Sequence, residues 1–260
     1  MITVAIANLK GGCGKSTSSI SVSGALAEMG KRVLLVDSDP QGSIAATFGL
    51  KVEGDRTLYE AVSGIRPLSD VILPTDFGID VVPALDSLHA ASTELPAQTD
   101  SIWQMALRDA LDTVADRYDV AVIDTQTGAT SLSSLALAAA DLCVCVAQAD
   151  VENLRRVAET IRKAQAVSTG RRALNPSLRI LGVLPTMIQA RTIATRGLLE
   201  AARAQGMTLI EPGIPMSTVV REAAIARESV ITYAPSHPVS EAYRALARTI
   251  LAFAGEGAVA

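Results

Sequence analysis

The run Ile2-Thr3-Val4-Ala5-Ile6-Ala7, leading into Asn8-Leu9-Lys10-Gly11-Gly12-Cys13-Gly14-Lys15-Ser16-Thr17, decides the fold. An apolar strand is followed by a glycine-rich turn, and residues 16–29 then read as a helix closed by Gly30. Glycines let backbone N–H groups turn inward around phosphate oxygens, and the helix N-terminus adds the positive end of its dipole. In such a loop Lys15 reaches the β- and γ-phosphates of a nucleotide, and the Ser16 hydroxyl ligates Mg²⁺. The strict pattern G-x-x-x-x-G-K-[ST] fails at its first position, which here is Leu9. A second lysine, Lys10, stands instead at the mouth of the loop.

Short apolar runs recur outward from this stretch, at residues 32–37, 79–82, 120–124, 142–147 and 180–184. Helical stretches lie between them, among them residues 102–118, 151–168 and 195–205. Strands apolar on both faces and alternating with helices predict an α/β fold. Its expected form is a single doubly wound, mostly parallel sheet with helices on both faces, of the P-loop NTPase type, spanning residues 1–260 as one domain. Two strands end in acids that bear on chemistry. Residues 120–124 finish in Asp124, placed to hold Mg²⁺ through a water. Residues 33–36 run into Asp37-Ser38-Asp39-Pro40-Gln41-Gly42, where Asp39 is placed to orient a lytic water and Asp37 to support the metal shell. Both strands are expected to flank the strand at residues 2–7, so that their C-terminal ends share one crevice. The structural alternative for each acid is a cap on the following turn.

Composition bounds the rest. With 260 residues, 49% of them hydrophobic and 19% charged, the chain has ample material for a core and is not disordered as a whole. Aromatics are 3%, so that core is built from Ala, Val, Leu and Ile. The most apolar stretch, residues 132–149, is broken by Ser133, Ser134, Asp141 and Gln148, which excludes a spanning helix. No basic leader precedes the first strand, and Cys13, Cys143 and Cys145 lack metal-ligand spacing, which fits a reducing, cytoplasmic setting. The net charge of −4 hides a split, with 9 Lys/Arg against 19 Asp/Glu in residues 1–150 and 14 against 8 in residues 151–260. All but one of those 14 are arginine, a possible footprint for a polyanion.

Lys10-Gly-Gly-Cys-Gly-Lys15-Ser-Thr, followed by Asp37-Ser-Asp39-Pro-Gln-Gly, resembles the deviant Walker A ATPases of the ParA/Soj partition family. Gly182-Val-Leu-Pro-Thr186-Met187 followed by Arg191-Thr192 is similar to that family's nucleotide-base segment, and Ile214-Pro215 and the helix from Glu241 also fall in its order. The resemblance implies ATP and Mg²⁺ as cofactors, held by Lys10, Gly11, Gly12, Cys13, Gly14, Lys15, Ser16 and Thr17, with Thr186, Met187 and Pro215 at the base. It implies an ATP-dependent homodimer in which Lys10 reaches the partner's nucleotide, non-specific DNA binding, and hydrolysis stimulated by a ParB-type adaptor. Lys10, Lys15, Asp39 and Asp124 are then the catalytic set, and Ser16, Asp37 and Asp124 the metal set. In the monomer Lys10 is expected to be an exposed cation with little to do. The chain departs from the family after Asp124, where Thr125-Gln126-Thr127-Gly128 replaces a Cys-Pro-Pro-like run, and near Gln189, where an acid is usual.

Among the remaining features, Cys143 and Cys145 alternate along one strand and read as core packing, and His89 and His237 as loop or surface residues. Trp103 reads as core or interface packing. Arg191, Arg196, Arg203 and Arg221 are the candidates for DNA phosphate, Arg196 and Arg203 being seven apart on one helix face. The tail from Phe253 carries no basic amphipathic helix of the kind MinD-like relatives lay on membranes, so the expectation is a nucleoid-associated protein with no membrane partner. The rival readings are a ParA-like positioner of protein cargo and an ATP-dependent amidoligase of related fold, the latter expected to need an additional substrate domain.

Overall fold

The computed structural model describes residues 1–91, 102–128, 130–148, 150–170, 173–189 and 193–256. Its strands are β1 (Ile2–Ala7), β2 (Val33–Ser38), β3 (Leu73–Pro74), β4 (Ile79–Val82), β5 (Val120–Thr125), β6 (Leu142–Gln148) and β7 (Arg179–Thr186). They form one sheet in the order β3-β4-β2-β5-β1-β6-β7. Every pairing is parallel except that of the two-residue β3 with β4. Parallel neighbours need crossover connections, and the helices between the strands supply them. The doubly wound α/β expectation holds.

Alternation along the strands divides the core between the two faces. Val4 and Ile6 of β1 join Leu35 and Val122 beneath the first helix, α1 (Lys15–Glu28), and the helix Pro238–Glu256, whose Tyr243, Leu246 and Ile250 are buried there. Leu34, Val36, Ala121 and Ile123 face the other side, against Leu107, Leu132 and Leu135. Small residues on that same side of β1 and β6, Ala5, Ala7, Cys143 and Cys145, let the helix Val151–Ser168 approach through Val157 and Ala164. The two thiols lie 3.9 Å apart in this packing. Trp103 is buried at 8% exposure, in the core as expected.

Two expectations are corrected. β2 does not flank β1, because β5 lies between them. The chain leaves β1, skips one position to lay down β2, and later fills the gap with β5, so the convergence of carboxyl ends survives. Asp37 and Asp124 are direct register partners, and Ile6 lies opposite Asp124 on the other side. The helix expected over residues 102–118 is instead a 3₁₀ turn, Ile102–Met105, followed by a helix at Ala106–Asp112 and then turns. The Thr113 hydroxyl donates to the Ala110 carbonyl at 2.6 Å, a local bond that competes with continued helix.

Candidate functional site

The loop between β1 and α1 lies where the strand ends converge. Gly12 and Gly14 take φ of 73° and 91°, the left-handed region in which a Cβ would be strained. Gly14 is the N-cap of α1 and offers no side chain to its first-turn amides, an arrangement suited to an anion. Lys15 is buried, and its Nζ donates to the Lys10 carbonyl at 3.2 Å. The Cys13 thiol donates to that same carbonyl at 3.3 Å, and burial pushes its pKa up. Thr186, at the end of β7, donates its hydroxyl to the Cys13 carbonyl at 2.8 Å and so ties the far strand to the loop.

Lys10 departs from expectation. Rather than standing as an idle exposed cation, it forms an ion pair with Asp150 at 3.3 Å, the two side chains being 26% and 38% exposed. Asp150 is also the N-cap of the helix Val151–Ser168, accepting from Asn153 N–H at 2.8 Å. Burial would raise the pKa of Asp150, but the Asn153 and Lys10 donors outweigh it and hold the carboxyl below the usual range. The Lys10 backbone is fixed as well, since its N–H donates to Asn8 Oδ1 at 2.9 Å, and the buried Asn8 amide donates to the Val146 carbonyl.

The acids divide by what their oxygens do. Asp124 is fully buried; burial pushes its pKa up to about 6, opposed by the Ser16 hydroxyl, Lys15 and the Ser19 hydroxyl. Its Oδ1 accepts from Ser19 at 3.2 Å, while its buried Oδ2 has no hydrogen-bond partner among the described residues. An orphaned carboxylate oxygen beside a serine hydroxyl and a lysine suits a hard divalent cation such as Mg²⁺. Among the described residues no group of three His, Cys, Asp or Glu could hold a metal alone, so the donors suit an ion that keeps waters and takes phosphate oxygens.

Asp37 is also fully buried, and burial, then the neighbouring Asp124, push its pKa well up. Its two oxygens accept from Asp39 N–H at 3.0 Å and Ile44 N–H at 3.1 Å. That pattern makes it a brace for the loop that carries Asp39. Asp39 itself is half-buried and accepts from Gln41 N–H at 3.1 Å.

At the other end, Gly14, Thr17, Thr186, Met187, Ile214 and Pro215 line one cavity of about 320 Å³, which Ser217, Arg221 and Tyr243 also border. The segments resembling a base site are thus brought together beside the loop. Met187 takes a positive φ of 53° there. The proposed DNA residues differ in their surroundings. Arg191 lies outside the described residues. Arg196 is exposed and pairs with no carboxylate among the described residues, Arg203 is bonded to Glu211 at 2.6 Å, and Arg221 borders the cavity of about 320 Å³. Arg244 and Arg248 are also occupied, by Glu28 and Glu241.

Sequence reasoning missed Asn8, Ser19, Asp150 and Ser217. An Asp followed three residues on by a polar side chain before a helical run marks Asp150 as an N-cap. Nothing in the sequence pairs it with a lysine 140 positions away.

Three comparisons bear on this arrangement. A family model described as an AAA domain matches residues 1–180. The chain is 37% identical over 250 residues to the chromosome-partitioning ATPase Soj of Thermus thermophilus, covering 96% of this chain and 95% of that one. It is 32% identical over 251 residues to the chromosome partitioning protein ParA of Myxococcus xanthus, covering 95% and 87%. Among solved structures, cobyrinic acid a,c-diamide synthase from Mycobacterium smegmatis with bound ADP and magnesium superposes with a TM-score of 0.85 at 28% identity, over 99% of this chain and 96% of that one.

Proposed function

The chain belongs to the Soj/ParA family of chromosome-partitioning ATPases, and from that premise we propose that it is a Mg²⁺-dependent ATPase that forms an ATP-sandwich dimer. In this reading the dimer binds DNA without sequence preference and drives plasmid or chromosome partition with a ParB-type partner, in the cytoplasm and on the nucleoid. The observation that carries the reading is the convergence of the phosphate loop, the orphaned Asp124 oxygen and the base cavity at one end of the sheet.

The roles follow from the chemistry of each group. Lys15 and the loop amides hold the phosphates, and Thr186, Met187 and Pro215 enclose the base. Ser16 and, through water, Asp124 hold Mg²⁺, which neutralises charge on the phosphate oxygens. Asp39 orients the attacking water, and Asp37 fixes the loop that carries it. Lys10, leaving Asp150, meets the partner's triphosphate and stabilises transition-state charge in a dry interface as an arginine finger does.

A second reading, an ATP-dependent amidoligase, has the diamide synthase likeness in its favour. The additional domain expected of such an enzyme does not separate the two, because the match covers 96% of that structure's chain. The cysteines narrow this second reading. Taking ammonia from glutamine through a thiol of this chain needs an accessible thiolate, whereas Cys13, Cys143 and Cys145 are all at most 1% exposed, Cys13 pushed up by burial and Cys145 by its neighbour Cys143 and then by burial, so such an amidoligase would use free ammonia or ammonia from another chain.

Lys10→Ala tests the partition reading. ATP binding should persist through Lys15, while the ATP-dependent dimer, turnover and tight DNA binding fail together. Light scattering with ATP, a phosphate-release assay and a DNA-shift assay read the three. A Lys10→Ala protein that dimerises and hydrolyses ATP like the parent would overturn the sandwich mechanism.

A further inference from the structure

The helix Val151–Ser168 meets the site at two further points, and those contacts close into a ring. Leu9, which stands where the strict loop pattern has glycine, donates its N–H to Thr160 Oγ1 at 3.2 Å. The Leu9 carbonyl accepts from Gly128 N–H at 3.0 Å, in the segment that follows β5. The Ser133 hydroxyl in turn shares its proton between the Gly128 carbonyl at 3.1 Å and the Thr130 carbonyl at 2.9 Å. Ser133 accepts from the ammonium of Lys163, which also donates to the Thr130 carbonyl at 2.7 Å. Thr160 and Lys163 are three residues apart and share a helix face, so the path runs from helix to Leu9, Gly128, Ser133 and back. Across the gap, the Thr127 methyl lies 3.7 Å from where a Cβ of Gly11 would stand.

Lys163 is a costly group for this place. It is half-buried, it forms no ion pair among the described residues, and burial draws its pKa down to about 8. Its charge also sits at the first turn of the helix Ser131–Ala139, the positive end of that dipole. The neighbouring helix is Leu- and Ala-rich, and an apolar residue would pack against it without these penalties. What the ammonium supplies, and an apolar residue could not, is two bonds to the segment after β5.

We propose that Lys163 is a positioning residue that holds Gln126, Thr127, Gly128 and Thr130 against the phosphate loop, so that the segment after Asp124 and the nucleotide site move as one unit. The proposal rests on the nucleotide reading above. Without the ammonium the phosphate loop keeps its own fold and its nucleotide, but the segment after Asp124 is released. The loss then falls on turnover rather than on binding.

The test uses the full chain with Lys163→Met, which keeps length and apolar volume, and Ser133→Ala, which cuts the ring one step later. Amide exchange at Gly128 in the absence of nucleotide should quicken about tenfold or more in both, the loss expected when a charge-assisted bond is removed. Exchange at Val122 in β5 should not change, which separates a released segment from a loosened fold. Calorimetry should find ATP affinity within about threefold of the parent, and kcat should fall about tenfold with KM little changed. Lys163→Gln, which restores a donor without charge, should recover part of both losses. Unchanged Gly128 exchange in a folded Lys163→Met or Ser133→Ala protein would overturn the proposal, as would equal quickening at Val122. A parent that hydrolyses no ATP would sink the nucleotide reading, while the exchange arms would still decide the role of Lys163.

Discussion

The phosphate end of the site and the arginine-bearing last third of the chain are built from different materials. At the phosphate end the working groups are backbone amides, two left-handed glycines, and the buried side chains Lys15, Asp37 and Asp124. In the last third they are long exposed side chains, several already held by carboxylates, as Arg203 is by Glu211 and Arg248 by Glu241. Burial raises the energetic weight of each charge and fixes its place; exposure lowers the first and leaves the second to solvent. Single substitutions should therefore act sharply at one end and weakly at the other.

The largest effect should come from Lys15→Ala. The variant removes a buried cation whose Nζ is held inside the loop at the Lys10 carbonyl, so nothing exposed can take its place. ATP affinity measured by calorimetry should fall by about 100-fold or more, in line with the loss of a desolvated charge pair. Retained affinity would mean the loop does not cradle phosphate.

Asp124→Asn should split function from stability. The carboxyl is fully buried and raised to about 6, so near neutral pH the folded state carries an ionised group that burial penalises. A raised carboxylate pKa means that the folded state binds protons more readily than the unfolded chain. The apo protein should thus gain stability as pH falls from about 7 through 6 towards the unfolded value near 4. Asparagine removes that penalty, and the apo melting temperature at pH 7 should rise by a few degrees, with a flatter pH dependence between 7 and 5. Mg²⁺-dependent hydrolysis should be lost in the same variant. A lowered melting temperature at pH 7 would show that the Ser16 and Ser19 bonds already repay the burial.

This contrast also explains what the sequence disclosed. Strand periodicity, the glycines and the acids at strand ends are local statements, and β1, β4 and the helix Val151–Ser168 fall at the predicted residues. The placing of β5 between β1 and β2 depends on which crossover skips a position, and no local pattern encodes that. Asp37 reads as support for the metal shell from its strand-end position, and its oxygens also accept from the amides of Asp39 and Ile44. That second role, bracing the loop, follows from the direction of the backbone N–H groups, which no strand-end pattern encodes. The arginines were legible as composition and not as a surface, because each can be neutralised by an acid distant in sequence.

DNA binding should respond to the arginines unequally. Arg196 is exposed without an ion pair among the described residues, Arg203 must first leave Glu211, and Arg221 borders the base cavity. The slope of log affinity against log salt should drop by roughly 0.9 for each phosphate that is no longer neutralised. Arg196→Ala should produce most of that drop and Arg203→Ala less. Arg221→Ala should also weaken ATP, which calorimetry without DNA would register. Equal slopes for all three variants would argue that the ion pairs and the cavity have no bearing on DNA.

The smallest effect belongs to the ion pair that joins the two kinds of region, Lys10 with Asp150. Both side chains are partly exposed, 26% and 38%, and such a pair contributes only ~0–1 kcal/mol. Asparagine caps a helix about as well as aspartate, so Asp150→Asn keeps the bond to Asn153 N–H while it removes the charge and the second acceptor, the oxygen that takes bonds from Asn153 Nδ2 and Lys10. Lys10 then leaves its site in the monomer without breaking that ion pair, and in the proposed dimer each protomer contributes one such lysine. The ATP-dependent dimer should form at a lower protein concentration, by a factor of up to about 30 given two pairs of that strength, with ATP affinity of the monomer unchanged. Sedimentation across a concentration series resolves a shift of that size. A dimer weakened by Asp150→Asn would mean that Asp150 supports the interface instead of restraining the lysine, and the pair seen in the monomer would then be part of the assembled state.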